Sequence, residues 1–315
     1  MSSSSRSSAN AIVTPAVPAI QDSDMATLDR ERNAAFRQML NRPGLLRIPV
    51  CSDALSARII ERLGFGIASI SGSGSIASLL GKPDTGLATA TEIIDRARQI
   101  AAAVDIPLMA DADTGYGNIN NIRRTVQGFE AAGISAVHIE DQVAPKQPGL
   151  LAGLAVIDAD EMVEKIRIAC KSRRDPNFVI VGRTDAYSAH GIDEVIRRCK
   201  LYADAGADLL YPHNILDRGH LLKLTHEVRN TPLLHDVVEP HSTYSDHDLV
   251  AMGFKAVIHG RANIFVQAQA AIDLWTYYRD HGETKGFIDR MISPAEWNAL
   301  MGTEAEANIR SLLDD

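Results

Sequence analysis

Residues 107–141 read PLMADADTGYGNINNIRRTVQGFEAAGISAVHIED. Pro107–Asp111 is a short apolar run that ends in an acid. After a polar loop, Ile122–Ala132 places apolar residues at helical spacing, Gly133 stops the helix, and Ala136–Glu140 is apolar again. Strand, loop, helix, glycine and strand in that order form a βαβ unit, whose two strands lie parallel. Both strands are continuously apolar rather than alternating, the pattern of strands covered on both faces.

The same rhythm extends in both directions. The spacing predicts strands at Leu45–Cys51, Ile67–Ser71, Phe178–Arg183, Asp208–Tyr211, Pro232–Asp236 and Ala256–Gly260. Helical runs fall between them at Ala54–Leu63, Thr91–Val104, Asp160–Arg173, Asp193–Ala205, His220–Val228 and Asp246–Met252. Several stop at glycine (Gly64, Gly133, Gly206, Gly253), which tolerates the left-handed conformation that ends a helix. Eight units in sequence are what a (β/α)8 barrel, the TIM-barrel form of the α/β class, requires. An open doubly wound sheet uses the same units, but the count favours the barrel.

The chain has 315 residues, 45% hydrophobic and 23% charged, which excludes fibrous and wholly disordered proteins. With 32 basic and 40 acidic residues the net charge is −8, so no nucleic-acid partner is expected. Cys51, Cys170 and Cys199 are far apart and form no C-x-x-C pair, which fits a reducing, cytoplasmic setting. No apolar run is long enough to span a bilayer, so no membrane partner is expected. The Ser- and Ala-rich residues 1–26 read as a disordered tail, 27–272 as the catalytic barrel, and 273–315 as a C-terminal helical extension. In that extension Ser293, Pro294 and Glu296 mark a helix start.

Barrel enzymes collect their chemistry at the carboxyl ends of the strands. Those ends carry Ser71-Gly72-Ser73-Gly74, Asp111-Ala112-Asp113, His138-Ile139-Glu140-Asp141, Arg183-Thr184-Asp185, Tyr211-Pro212-His213 and His235-Asp236, with Asp84 close after the glycine-rich turn. Converging carboxylates repel unless a cation sits among them, and Asp84, Asp111, Asp113 and Glu140 offer hard oxygens suited to Mg²⁺, with Mn²⁺ as an alternative ion. The Ser/Gly turn is either an anion nest of free N–H groups or a plain flexible turn. Arg183 offers a planar fork to a carboxylate, or a structural ion pair with Asp185. Cation, nest and arginine together suit a 2-oxo or 2-hydroxy acid, whose enolate they would stabilise as a bond breaks.

These stretches, with Gly81-Lys82-Pro83-Asp84, Gly182-Arg183-Thr184-Asp185-Ala186 and Gly286-Phe287-Ile288-Asp289-Arg290-Met291, resemble the isocitrate lyase/phosphoenolpyruvate mutase superfamily. The likeness runs from about Leu45 onward and is nearest the methylisocitrate lyase-like branch. It implies a Mg²⁺-dependent barrel lyase, a homotetramer of two dimers that exchange a C-terminal helix. Asp111 would hold the ion directly, and Asp113, Glu140 and Asp84 largely through water. Ser71, Gly72 and Ser73 would hold a small carboxylate substrate, with Asp84, Asp236 and Tyr116 in the same binding set. Arg183 would stabilise the enolate.

The gating loop departs from the resemblance. The lyase branch carries Lys-Arg-Cys-Gly-His where this chain has Lys146-Gln147-Pro148-Gly149-Leu150, so the acid/base thiol is missing. The phosphonate branch has Lys-Thr-Asn-Ser-Leu there, and Pro148 replaces its Asn. Asp236 and Val238 stand where the lyases typically have Asn and Thr. Lys146 is then either a lid residue that closes over substrate or an exposed loop lysine. His213 is either a general acid or a hydrogen-bonded rim residue. Tyr116 either packs over the substrate or covers its own loop, and His235, His241 and His247 match no zinc spacing. The expected function is carbon–carbon bond cleavage in a 2-hydroxy or 2-oxo di- or tricarboxylate. Decarboxylation or hydrolysis of an oxaloacetate-like acid, phosphonate chemistry, and a non-catalytic carboxylate binder are the alternatives.

Overall fold

The computed structural model describes residues 22–147, 154–237 and 244–307. Helix α1 (Asp22–Asn41) precedes the first strand, which Pro49 divides into β1 (Leu46–Ile48) and β2 (Val50–Cys51). Proline has no N–H to give the ladder, yet its carbonyl still accepts from Ser69 N at 2.9 Å. The other strands are β3 (Ala68–Ile70), β4 (Leu108–Asp111), β5 (Ala136–Glu140), β6 (Val179–Thr184), β7 (Leu209–Pro212), β8 (Leu234–Asp236) and β9 (Ala256–Ile258).

Every strand pairing is parallel. One run goes β2-β3-β4-β5-β6-β7 and the other β1-β9-β8. The split strand joins them on one side, and a parallel bridge between Leu210 and Leu233 joins β7 to β8 on the other. The eight strand positions therefore close into a (β/α)8 barrel. Around it lie α2 (Ala54–Arg62), α3 (Gly72–Leu80), α4 (Ala90–Ala101), α5 (Ile119–Glu130), α6 (Ala159–Ser172), α7 (Tyr187–Asp204), α8 (Arg218–Glu227) and α9 (Asp246–Met252). Helix α7 is kinked at Gly191, whose φ is 74°.

Side chains alternate across a strand, and that period of two builds both the core and the site. On β6, Val179 and Val181 face the barrel interior with Met109, Ala136, Leu209, Leu234 and Ala256. Ile180 faces outward, among Ile100, Val126, Phe129 and Ile166 on the surrounding helices. Phe36 and Leu40 of α1 belong to the inner cluster and cap its end. Continuing the inward phase toward the carboxyl ends reaches Ser71, Asp111, His138, Glu140, Arg183, Tyr211, His213 and Asp236. Register sets them side by side: Asp111 pairs with His138, Glu140 with Arg183, and Arg183 with Tyr211.

Outward-facing Asp141 ties the fold to α7. It accepts from Arg198 Nη1 at 3.0 Å, Tyr202 Oη at 2.6 Å and the Asp185 amide at 2.9 Å. Beyond the barrel come α10 (Ala262–His281), a 3₁₀ turn at Lys285–Arg290, α11 (Pro294–Met301) and α12 (Thr303–Ala307). Helix α11 has the expected capping box of Ser293 and Glu296. No described helix is long and apolar enough to cross a membrane. Pro148, Gly149, Leu150, Val238, His241 and residues 1–21 of the expected tail lie outside the described residues.

Candidate active site

The run Ser71-Gly72-Ser73-Gly74 is the start of helix α3 rather than an open turn. Ser71 is its N-cap: Oγ accepts from the Gly74 amide at 3.0 Å and lies 3.2 Å from Ser73 Oγ. The N–H groups of a first helical turn have no intrahelical partner and carry the positive end of the helix dipole. A Cβ at position 72 would lie 2.3 Å from Asp111 Oδ2, so glycine lets the helix start rest directly against that carboxylate.

Asp84, Asp111 and Asp113 each bring a carboxylate oxygen within 4.8 Å of the others. Asp113 reaches this position with φ +48°, in the left-handed region, and its amide donates to Asp111 Oδ1 at 2.9 Å. Lys146 enters the cluster from the loop after β5. Its Nζ lies 3.0 Å from Asp84 and 3.9 Å from Glu140, and it bonds Asp113. Lys146 is buried, so of its two sequence readings the exposed loop lysine is not what is found.

Burial pushes Glu140 up to about 8 despite Arg183 and Lys146. Burial, with Asp111 and Asp84 alongside, carries Asp113 to about 6 against the pull of Lys146. Burial works the same way on Asp111, but cationic neighbours overcome it and hold that carboxyl well below the usual range. Burial lowers His138 to about 4, so the imidazole is neutral at physiological pH, and Lys146 and Arg183 supply the charge that Asp111 feels.

Arg183 is fully engaged. Nε and Nη2 bond the two oxygens of Asp185 at 3.0 Å each, and Nη1 lies 3.0 Å from Glu140. The guanidinium also sits 5.2 Å from the centre of the Tyr211 ring. His213 continues the chain, with Nδ1 2.6 Å from Asp185 and Nε2 3.1 Å from Asp236. Burial and Arg183 disfavour its charge, yet the flanking carboxylates raise its pKa above the ordinary value. Each ring nitrogen thus faces a carboxylate, which favours the imidazolium, although Nδ1 makes no well-aligned hydrogen bond.

These groups surround a cavity of about 470 Å³, lined by the start of α3, Asp84, Asp111, His138, Lys146, Arg183, His213 and Asp236, with Arg261, Ile264 and Phe265 on the α10 side. Asp113 and Glu140 stand behind this lining as partners of Lys146. Tyr116 lies beyond Asp113, half-buried against the outer core and within hydrogen-bonding reach of its carboxyl, so it covers its loop. The three cysteines are free: Cys51 and Cys199 are buried in the outer core, and Cys170 packs against it. Sequence reasoning missed Arg261. Its signal was position alone, three residues past the last strand at the barrel mouth.

The donor set fits a divalent cation. Six carboxyls (Asp84, Asp111, Asp113, Glu140, Asp185, Asp236) meet four permanent cations (Lys82, Lys146, Arg183, Arg261), of which Lys82 is exposed. Asp84 Oδ1 and both Glu140 oxygens are buried with no hydrogen-bond partner. Mg²⁺ prefers oxygen donors of this kind.

Fold and site together define a barrel enzyme built to hold a divalent cation beside a small anion. The family model described as phosphoenolpyruvate phosphomutase matches residues 36–275, and the chain belongs to that family, within the phosphoenolpyruvate mutase/isocitrate lyase superfamily of lyases. It is 38% identical over 273 residues to 2,3-dimethylmalate lyase of Eubacterium barkeri, covering 86% of this chain and 94% of that protein. Oxaloacetate acetylhydrolase in complex with 3,3-difluorooxalacetate superposes with a TM-score of 0.84 at 32% identity, covering 90% of this chain and 97% of that one. Phosphonopyruvate hydrolase in complex with oxalate and Mg²⁺ gives 0.79 at 28% identity, over 89% and 98%.

Proposed function

We propose that this protein cleaves a carbon–carbon bond in a 2-hydroxy or 2-oxo di- or tricarboxylate through an enolate, with Mg²⁺ as cofactor and Mn²⁺ as a substitute. The observation that carries the reading is one cavity lined by a helix N-terminus, Asp84, Asp111 and a fixed arginine, with Asp113 converging on the two aspartates from behind the wall. Asp111 would hold the ion directly, with Asp84, Asp113 and Glu140 around it. When bound, the ion supplies positive charge to the oxygen that turns anionic as the bond breaks.

The chain's own residues do the rest. Ser71, Gly72 and Ser73 hold the substrate carboxylate at the start of α3, where N–H groups and dipole favour an anion. Arg183, locked by Asp185, is a fixed positive charge that needs no reorganisation as the enolate forms. Lys146 closes the acid side against water, and the surrounding carboxylates raise its pKa so that it keeps its positive charge beside the cluster. His213, flanked by Asp185 and Asp236, keeps its proton through these two carboxylates and stands beside Asp236 on the cavity wall.

Hydrolytic cleavage is the second reading. Asp236 Oδ1 is buried, unpartnered and on the cavity wall, a position from which a carboxylate can orient a water. The free thiols and internal metal-binding chemistry support a cytoplasmic enzyme, and the apolar surface of α10 supports a homotetramer.

A product screen by NMR tests the proposal, with purified protein, Mg²⁺ and oxaloacetate, isocitrate, methylisocitrate, dimethylmalate or phosphonopyruvate. Pyruvate or glyoxylate with a second carbon fragment is the expected result. Oxalate with acetate from oxaloacetate selects hydrolysis, and pyruvate with only CO₂ selects decarboxylation. Asp111→Ala is expected to abolish turnover with the fold intact, and full activity in that variant would remove the metal assignment.

A further inference from the structure

We propose that Arg261 is a specificity-determining residue, which pairs with a second carboxylate of the substrate remote from the reacting bond and so selects dicarboxylates over monocarboxylates. The inference rests on reading the substrate as a small carboxylate and is independent of which bond breaks.

Arg261 follows β9 and opens α10, and it lines the cavity beside Asp236, Gly260 and Ile264. Its Nη1 is buried from solvent and has no hydrogen-bond partner. A buried cationic donor left in that condition is unfavourable, and an arriving acceptor relieves it. The other cavity cations are differently placed. Arg183 has Nε and Nη2 on Asp185 and Nη1 ion-paired with Glu140 at 3.0 Å, Lys146 is committed to Asp84 and Asp113, and Lys82 is exposed. Arg261 thus holds a buried, unpaired cationic donor in the wall of the cavity.

Its neighbours favour a carboxylate there. Asp236, the acid on the adjacent strand end, has Oδ2 on His213 at 3.1 Å and feels the charge of Arg261, but its Oδ1 accepts no hydrogen bond from Arg261 or from any other described donor. Ile264 and Phe265 of α10 line the same wall and lower its polarity, which strengthens a charge pair that forms against it. A guanidinium matches a carboxylate in planar, two-point fashion, so the site reads geometry as well as charge.

Malate and lactate differ by this second carboxylate alone and share the 2-hydroxy acid end. Their binding to the Mg²⁺-loaded protein, measured by calorimetry, separates the roles. Wild type is expected to bind malate more tightly than lactate. Arg261→Met should weaken malate by about tenfold or more, with lactate changed less than about twofold. Arg261→Lys should retain part of the preference and serves as the control if the methionine variant is unstable. Equal losses for both ligands, or a wild type with no preference for malate, would overturn the assignment. A silent product screen alongside an intact malate preference would count against the cleavage reading and leave Arg261 in place.

Discussion

Nζ of Lys146 lies 3.0 Å from Oδ2 of Asp84, and the same ammonium bonds Asp113 and stands 3.9 Å from Glu140. A lysine from the loop after β5 therefore supplies internal positive charge to the acids that would hold the divalent ion. Lysine and metal share the job of neutralising one cluster. Replacing the ammonium by a neutral amide leaves buried carboxylates without it, and breaking a buried pair in this way costs about 3–5 kcal/mol. Lys146→Gln should accordingly lower Tm in EDTA, and excess Mg²⁺ should recover most of the loss. Thermal unfolding in the two buffers measures both effects. A loss that Mg²⁺ leaves untouched would mean the acids are a structural cluster.

Gly72 provides a test of the substrate side. A methyl group at this position would lie 2.3 Å from Asp111 Oδ2 and 2.8 Å from its Cγ. Either the carboxylate or the start of α3 must move, and both belong to the proposed machinery. Gly72→Ala should keep the far-UV circular dichroism of the barrel while kcat/KM falls by about a hundredfold, the scale of a misplacement near one ångström. Mg²⁺ affinity should fall with it. Unchanged kinetics would show that helix and carboxylate need not touch.

The barrel was legible because its strands are apolar on both faces and several of the following helices stop at a glycine. The same period of two that fills the interior with Val179 and Val181 carries Arg183 into the site, so strand ends identified most of the constellation. Sequence could not show pairing across the mouth. Arg183 looked equally like a free fork and a partner of Asp185, and only distance places three of its nitrogens on acids. The Ser/Gly run read as an anion nest or a flexible turn because glycine weakens any helix signal. Ser71 as N-cap resolves it into the first turn of α3. Arg261 stayed hidden because it follows a three-residue strand and a glycine, where spacing gives no phase.

His213 makes stability depend on pH. Burial and Arg183 lower its pKa, but Asp185 and Asp236 raise it further, so the folded value lies above the unfolded one. The stabilisation is fully present below the unfolded value, near 6.5, and is lost as pH rises through the raised folded value. Burial also raises Glu140, to about 8, and its ionisation weakens the fold in the same direction. The His213 contribution is therefore read as a difference between variants. His213→Gln should cost about 3–5 kcal/mol at acidic to neutral pH, with the gap to wild type narrowing toward alkaline pH. Denaturant unfolding across pH measures it, and a gap that stays constant would mean the ring is neutral throughout.

Helix α10 predicts assembly. Val266 is 69% exposed, Ile272 58% and Trp275 61%, and the helix has no buried residue along its 20 positions. Ile288, Met291 and Ile292 continue this apolar surface into the following segment. Large apolar side chains exposed together on one element lead us to expect a surface that is covered in solution. A homotetramer of 34.1 kDa subunits would cover it. The first turns of α10 also wall the active cavity through Ile264, Phe265 and Ala268, so assembly and site share one element. Light scattering after size exclusion should return a mass near four subunits. Ile272→Asp with Trp275→Asp should shift it toward one subunit and reduce turnover, because the cavity wall loses its support. A wild-type protein that runs as a monomer, or a monomeric variant with full turnover, would separate α10 from both roles.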